Sequence, residues 1–328
     1  MNNLLVRSLT GLVFVLVMMF CIAFNQYTFL AIILVILIGS LNEFWNITQP
    51  KREAAGSFLT SKGWLIFISV VVYLIAYLLV TPPVRALPDP SGPKLKALFD
   101  VLLMQRDATL ALAVLIPALL FKLFAAELFS KRENPFSNIG WNSLMVIYIL
   151  VPLIMATNIY FARGGYFLLA IMWLIWFNDS AAYAFGSLLG RHKLFPRISP
   201  QKSIEGFVGG LAFVMVVAWF IPQIAAALAS SQTEWVSKQL AVQLNAFGRV
   251  EWMILAFVLV LAATFGDLAE SMLKRSLQIK DSGSIMPGHG GFLDRFDAFL
   301  FAMPFLMLWL WIFAQVSNLM LLIEFVSH

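Results

Sequence analysis

Apolar positions in this chain come in long blocks rather than in the short alternations of a sheet. A helix that crosses the hydrocarbon core of a bilayer needs ~20 mostly apolar residues. Nine stretches approach or reach that length, at residues 8–24, 28–45, 64–80, 108–126, 144–161, 165–189, 206–229, 251–273 and 298–322. The second is the weakest, because Asn42 and Glu43 stand at its end. The period-two alternation of a membrane barrel is missing, and an open sheet in lipid would strand its backbone polar groups. The pattern predicts an all-α, polytopic integral membrane protein with about nine transmembrane helices.

Between the blocks lie polar connections of unequal interest. Residues 81–107 contain Pro82, Pro83, Pro88, Pro90 and Pro93, which predicts an extended, non-helical segment. Residues 230–250 are polar and have room for a short surface helix. No fixed-period repeat emerges. The chain divides into residues 1–161, with spans one to five and little chemistry, and residues 162–328, with spans six to nine. The second half carries two informative loops, at 190–205 and 274–297. Glu43, Asn46, Glu127 and Asn142 in the first half read as interface or packing residues.

Composition agrees with the block pattern. Of 328 residues 61% are hydrophobic and 12% charged, at a mean hydropathy of +0.88. A soluble domain carries about twice that share of charge. The single cysteine, Cys21, lies in an apolar run and excludes an intramolecular disulfide. Arg7 and the run after it look like a secretory signal, but no small-residue cleavage site follows, so the run reads as the first span. The net charge of +5 matters less than its distribution. With nine spans and the N-terminus in the cytoplasm, 15 of the 22 Lys and Arg residues fall inside and 7 outside. That asymmetry predicts an N-in orientation.

The chemistry gathers at two places. In the first, Asp267 follows an apolar run, and an intramembrane carboxylate is costly enough to suggest function. Asp267, Glu270, Ser271 and Lys274 follow the spacing i, i+3, i+4, i+7 and share one helical face. Beyond them, the stretch Gly288-His289-Gly290-Gly291 lets backbone N–H groups approach an anion, flanked by Lys274, Arg275, Lys280 and Arg295. Asp294 and Asp297 either help to hold a hard cation or cap the next helix. Carboxylates mixed with basic groups suggest Mg²⁺ shared between acid side chains and nucleotide phosphates.

The second place ends another apolar run at Asn178-Asp179-Ser180 and continues to Ser199-Pro200-Gln201-Lys202-Ser203. Hydroxyls and an ammonium before a helix suit phosphate, and Ser203 also suits an N-cap.

The run Ser271-x-Leu273-Lys274-Arg275-x4-Lys280-Asp281-x-Gly283, then Pro287-x-His289-Gly290-Gly291-x-x-Asp294-Arg295-x-Asp297, resembles the hallmark of the CDP-diacylglycerol synthases, or phosphatidate cytidylyltransferases. It spans 27 residues, 271–297, and the segment 178–206 resembles the family too. Ser203 stands where the family pattern has Thr, and Ala181 where many relatives have Gly. The resemblance implies that CTP and phosphatidate yield CDP-diacylglycerol and pyrophosphate, at the inner membrane of a bacterium. Phosphatidate would enter from the inner leaflet, and its phosphate oxygen would attack the α-phosphorus of CTP without a protein nucleophile.

On this resemblance Asp267 and Asp294 are expected to carry Mg²⁺ or another hard divalent cation, with Asp179 and Asp281 as further ligands. Lys274 and Arg275 would stabilise the CTP phosphates or the leaving pyrophosphate, acting as catalytic groups with the two aspartates. Ser199, Lys202, Ser203, Lys280, His289, Gly290, Gly291 and Arg295 are the expected substrate contacts. The expected partners are CTP, phosphatidate and membrane lipid; nucleic acid is not among them, and a homodimer is compatible with the reading. Two rivals stand beside it. A polyprenol kinase would move the γ-phosphoryl of CTP, and an ion-coupled transporter would more often show internal repeats and helices broken at mid-membrane.

Overall fold

A computed structural model describes residues 3–49, 60–81, 115–130, 133–230, 235–245, 247–283 and 290–327. The protein is an all-α, multi-pass membrane protein. Among the described residues, seven helices are long and apolar enough to cross a bilayer, and a shorter apolar helix covers Leu9–Phe24. Apolar side chains such as Phe121, Leu78 and Leu188 stand exposed on helix flanks, as lipid-facing residues must. The chain forms two compact units, Met1–Ala162 with Ser282–Leu293, and Arg163–Asp281 with Asp294–His328.

The first unit holds α1 (Asn3–Phe24), α2 (Gln26–Thr48), α3 (Lys62–Val80), α4 (residues 115–128), α5 (Pro135–Met145) and α6 (Val151–Arg163). The run at 108–126 thus becomes a helix from residue 115, and its beginning lies outside the described residues, as does most of 81–107. One residue, Asn25, separates α1 from α2. Its side chain accepts from the N–H groups of Tyr27 and Thr28 at 2.9 Å, while Thr28 Oγ1 accepts from Asn25 N–H at 3.2 Å. This reciprocal cap satisfies donors that a helix start leaves orphaned.

A π-helical turn, Val146–Leu150, joins α5 to α6 into one membrane segment. Pro152 explains it: the residue has no N–H to donate, and its ring crowds the carbonyl four residues back. Stacked rings of Phe29 and Tyr160, 3.9 Å between centroids, and a buried 2.8 Å hydrogen bond between Tyr73 and Thr157 hold these helices together.

The second unit holds α7 (Gly165–Leu189), the hairpin strands β1 (Lys193–Phe195) and β2 (Ser199–Ser203), α8 (Ile204–Ser230), α9 (Trp235–Leu244), α10 (Arg249–Ser276) and α11 (Leu293–Ser327). The polar connection at 230–250 does carry a short helix, α9. Helices α7 and α8 meet along small residues. Ala182 and Gly186 on one face Gly206 and Gly210 on the other, each pair four apart. A Cβ at Gly206 would come within 2.6 Å of the Ala182 carbonyl oxygen. At the far end of α7, Phe167, Phe247, Trp252, Trp309 and Phe313 form an aromatic cluster, and Trp252 Nε1–H donates to the Leu244 carbonyl at 3.1 Å. Gln243 Oε1 accepts from Tyr166 N–H at 2.8 Å and ties α9 to the start of α7.

Candidate active site

The C-terminal end of α7, the hairpin, the C-terminal end of α10 and the start of α11 lie at one end of the second unit. Local chemistry shapes the hairpin. Lys193 pairs with Ser203 and Phe195 with Ser199, antiparallel across the Pro196-Arg197 turn. Glu205, in the first turn of α8, closes its base. Its carboxylate accepts from the N–H groups of Arg191 and His192 at 3.1 Å and lies 2.6 Å from His192 Nδ1. An acid there also meets the positive end of the α8 dipole. Ser203 Oγ accepts from Gly206 N–H at 3.1 Å, so it is an N-cap for α8, packed among Gly186, Gly190 and Gly206.

The hairpin delivers Lys202. Its Nζ stands 2.5 Å from Asp267 Oδ2 on α10, and Ser271 Oγ donates to Asp267 Oδ1 at 3.3 Å. The helical face read from the sequence is therefore formed. Two turns on, Lys274 lies between two acids, ion-paired with buried Glu270 and 2.5 Å from Asp294 Oδ1 of α11. The seven residues from Asp267 to Lys274 climb about 10 Å along the helix. Asp267 and Asp294 are thus held by different lysines at different heights.

Asp297, one turn beyond Asp294, is 9% exposed and lies within electrostatic range of Asp267, Glu270 and Asp179. Gly266 brings it there, because a Cβ at that position would stand 2.9 Å from the Asp297 carbonyl oxygen and 2.6 Å from Phe301 Cβ. Asp179, on α7, feels Asp267, Lys202 and Arg295 and receives a 3.5 Å contact from Asn178 Nδ2. Five carboxylates, Asp179, Asp267, Glu270, Asp294 and Asp297, thus share this end with three cations, Lys202, Lys274 and Arg295. Within this cluster alone, apart from Arg275 and the other basic residues of the hairpin end, the formal count is five carboxylates to three cations.

The remaining sequence candidates are distributed differently. Arg275 turns to the hairpin, donating from Nε to the Ile198 carbonyl at 3.4 Å and from Nη1 to the Ile279 carbonyl at 3.2 Å. Ser199 sits in β2 beside that contact. Lys280 and Asp281 are exposed past the end of α10 and take no part in the pairs above. His289 lies outside the described residues. Gly290 has φ +79°, a conformation that favours glycine. Gly291 is buried against Glu43, where a Cβ would run into the carboxylate.

Two buried acids have contacts that the sequence does not assign. The sequence leaves Asp297 between cation ligand and helix cap; its burial and the glycine opposite it single it out. Glu43 read as packing, yet it is 3% exposed and bound to the ends of the segment 282–293. Its one visible signal was a carboxylate at the end of an apolar run.

Known proteins with similar sequences point the same way. The chain is 34% identical over 193 residues to a Staphylococcus saprophyticus protein named phosphatidate cytidylyltransferase, covering 58% of this chain and 65% of that relative. A Staphylococcus aureus protein of the same name is 27% identical over 307 residues, 92% of this chain and 96% of the relative. One from Bacillus subtilis is 43% identical over 133 residues, 40% of this chain and 43% of the relative. Residues 94–313 match the profile of the Cytidylyltransferase family, so the chain belongs to that family of nucleotidyltransferases.

Proposed function

We propose that the protein is a phosphatidate cytidylyltransferase of a bacterial inner membrane, converting CTP and phosphatidate to CDP-diacylglycerol and pyrophosphate. Family membership and the names of the relatives support the reaction class. The observation that carries the reading is the cluster at the end of the second unit, where five carboxylates outnumber three cations beside a basic hairpin.

That excess suits a hard divalent cation such as Mg²⁺, and carboxylate oxygen is the donor such an ion takes. Among the described residues no three such side chains converge tightly enough to ligate one ion in this arrangement. Lys202 and Lys274 instead occupy the carboxylates. Asp267 and Asp294 are the proposed ligands, with Asp179 and Asp297 beside them and Asp281 as an outlying candidate. The ion, when bound, supplies charge neutralisation for the CTP phosphates.

The chain's own groups then do the positioning. A phosphatidate oxygen forms the new bond to the α-phosphorus, and the bond from that phosphorus to the bridging oxygen breaks, releasing pyrophosphate. No side chain needs to become covalently attached, since the lipid phosphate is itself the nucleophile. Lys274 and Arg275 are the proposed groups for offsetting charge on CTP and on the leaving pyrophosphate. Lys202 in the hairpin is the proposed contact for the other phosphate. Aligning two bound reactants is a large source of acceleration in such a reaction.

The test is an assay of purified protein with CTP, phosphatidate and Mg²⁺. One pyrophosphate should appear for each CDP-diacylglycerol. Release of CDP with a phosphorylated polyprenol would instead establish the kinase rival.

A further inference from the structure

The segment Ser282–Leu293 is fastened at both ends by one side chain far away in sequence. Glu43, in the last turns of α2, uses both carboxylate oxygens. Oε1 accepts from Phe292 N–H at 2.9 Å. Oε2 accepts from Leu293 N–H at 2.9 Å and from Ser282 Oγ–H at 3.2 Å. The surroundings are shaped to admit it. A Cβ on Gly283 would stand 2.5 Å from Glu43 Oε1, and a Cβ on Gly291 would collide with the same carboxylate. One turn earlier on α2, Gly39 leaves the space that the Phe292 ring fills.

From this geometry we infer that Glu43 is a positioning residue for the transferase site. It fixes where the segment 282–293 begins and ends, and it anchors the first N–H groups of α11, the helix that carries Asp294 and Asp297. The inference rests on the cytidylyltransferase reading of that helix. Three physical points support it. A carboxylate at a helix N-terminus meets donors that have no helical partner and the positive end of the dipole. Hydrogen bonds to a charged acceptor are stronger than neutral ones. A buried carboxylate needs hydrogen-bond partners for its oxygens, so its presence specifies the geometry of all three donors.

Glutamine is nearly the same size but presents one oxygen and one NH₂ to the two adjacent N–H donors, so either Phe292 or Leu293 loses its acceptor. Glu43→Gln in the full-length protein should raise hydrogen–deuterium exchange at Phe292 and Leu293 by at least about tenfold, with little change in peptides from α5, α8 or α9. Its kcat for CDP-diacylglycerol should fall by roughly ten- to a hundredfold, because a small misplacement of aligned groups is enough to cost that much. KM for phosphatidate and the melting temperature should stay near the parent's. A kcat within twofold of the parent overturns the inference, and so does exchange that rises throughout the protein together with a lowered melting temperature.

If Glu43→Gln does not yield monodisperse protein, Ser282→Ala removes only one of the three bonds. It should lower kcat by about two- to fivefold in the same direction, and parent-like kinetics again overturn the inference. A parent that makes no CDP-diacylglycerol overturns the functional reading instead, and the local exchange measurement then decides the anchoring role on its own.

Discussion

At the scale of single residues, the informative contrast is between acids that have a dedicated cation and acids that share one. Asp267 has Lys202 at 2.5 Å, yet the pair is only partly enclosed, with side chains 28% and 33% exposed. Such a pair contributes about 1 kcal/mol or less to stability, so folding does not explain a charge at this depth. The proposed role as a cation ligand accounts for it. Asp267→Asn keeps the size and most hydrogen bonds but loses the negative charge. Activity should fall by ~100-fold or more, the loss typical of removing one charge-stabilising group. With CTP present, Mg²⁺ should raise the melting temperature of the parent and not of the variant. If Asp267 were only Lys202's partner, Asp267→Asn would lower the metal-free melting temperature and the double variant Asp267→Asn, Lys202→Met would restore it, since neither charge would then be orphaned. Under the proposed role both variants keep the parent's metal-free melting temperature and lose the Mg²⁺ response.

The same scale shows what reading the sequence could reach. Asp267, Glu270, Ser271 and Lys274 were legible because helical spacing forces them onto one face. Lys202 was legible as a phosphate-type group, but its pairing with Asp267 was not, because 64 intervening residues of loop and helix decide it. Glu43 was hidden for a stronger reason: its partners are backbone N–H groups and one hydroxyl near residue 290, and backbone donors leave no mark in a sequence.

At the scale of elements, apolar runs located the helices well. The run at 165–189 coincides with α7, and those at 206–229 and 251–273 fall inside α8 and α10. The structure extends α10 to Ser276 and starts α11 at Leu293, because charged residues continue a helix that hydropathy alone would end. The hairpin of Lys193–Phe195 and Ser199–Ser203 was not legible. It is too short for an alternating pattern, and Glu205 and the Arg275 contact, both outside the hairpin, help to hold it. Packing between elements was half legible, since glycines are visible but their partners are not.

Gly266 makes this testable. A methyl group there meets backbone and Cβ atoms of α11, none of which can swing aside, so α10 and α11 must separate and carry Asp297 away from Asp267. Gly266→Ala should cost ~1–3 kcal/mol by overpacking and lower activity with it. Gly140→Ala, with nothing within 4 Å of the new Cβ, should leave the melting temperature unchanged or raise it. Equal behaviour of the two variants in a melting and activity assay would refute the close-approach argument.

At the scale of the molecule, the remaining issue is which side of the membrane the site faces. Contacts within the second unit put the loops on one end: Arg275 at the end of α10 touches Ile198 in the hairpin, while α9 is tied by Gln243 to the opposite end of α7. The hairpin end carries Arg191, Lys193, Arg197, Lys202, Lys274, Arg275 and Lys280, and the other end carries Arg163, Lys238 and Arg249. Lys and Arg are retained on the cytoplasmic side during insertion, so this bias predicts a hairpin that faces inward. The proposed substrate agrees, since CTP is a cytosolic, highly charged molecule that does not cross lipid.

A Cys21→Ser background removes the one native thiol, and single cysteines can then report the orientation. Arg197→Cys and Lys280→Cys, both at exposed positions, should resist an impermeant maleimide in intact cells and react once the membrane is opened. Tyr27→Cys, at the exposed connection between α1 and α2, should react from outside at once, because with the N-terminus inside that connection is external. Labelling of residue 197 or 280 in intact cells would place the carboxylate cluster on the side without CTP, and would reject the orientation and the proposed reaction together.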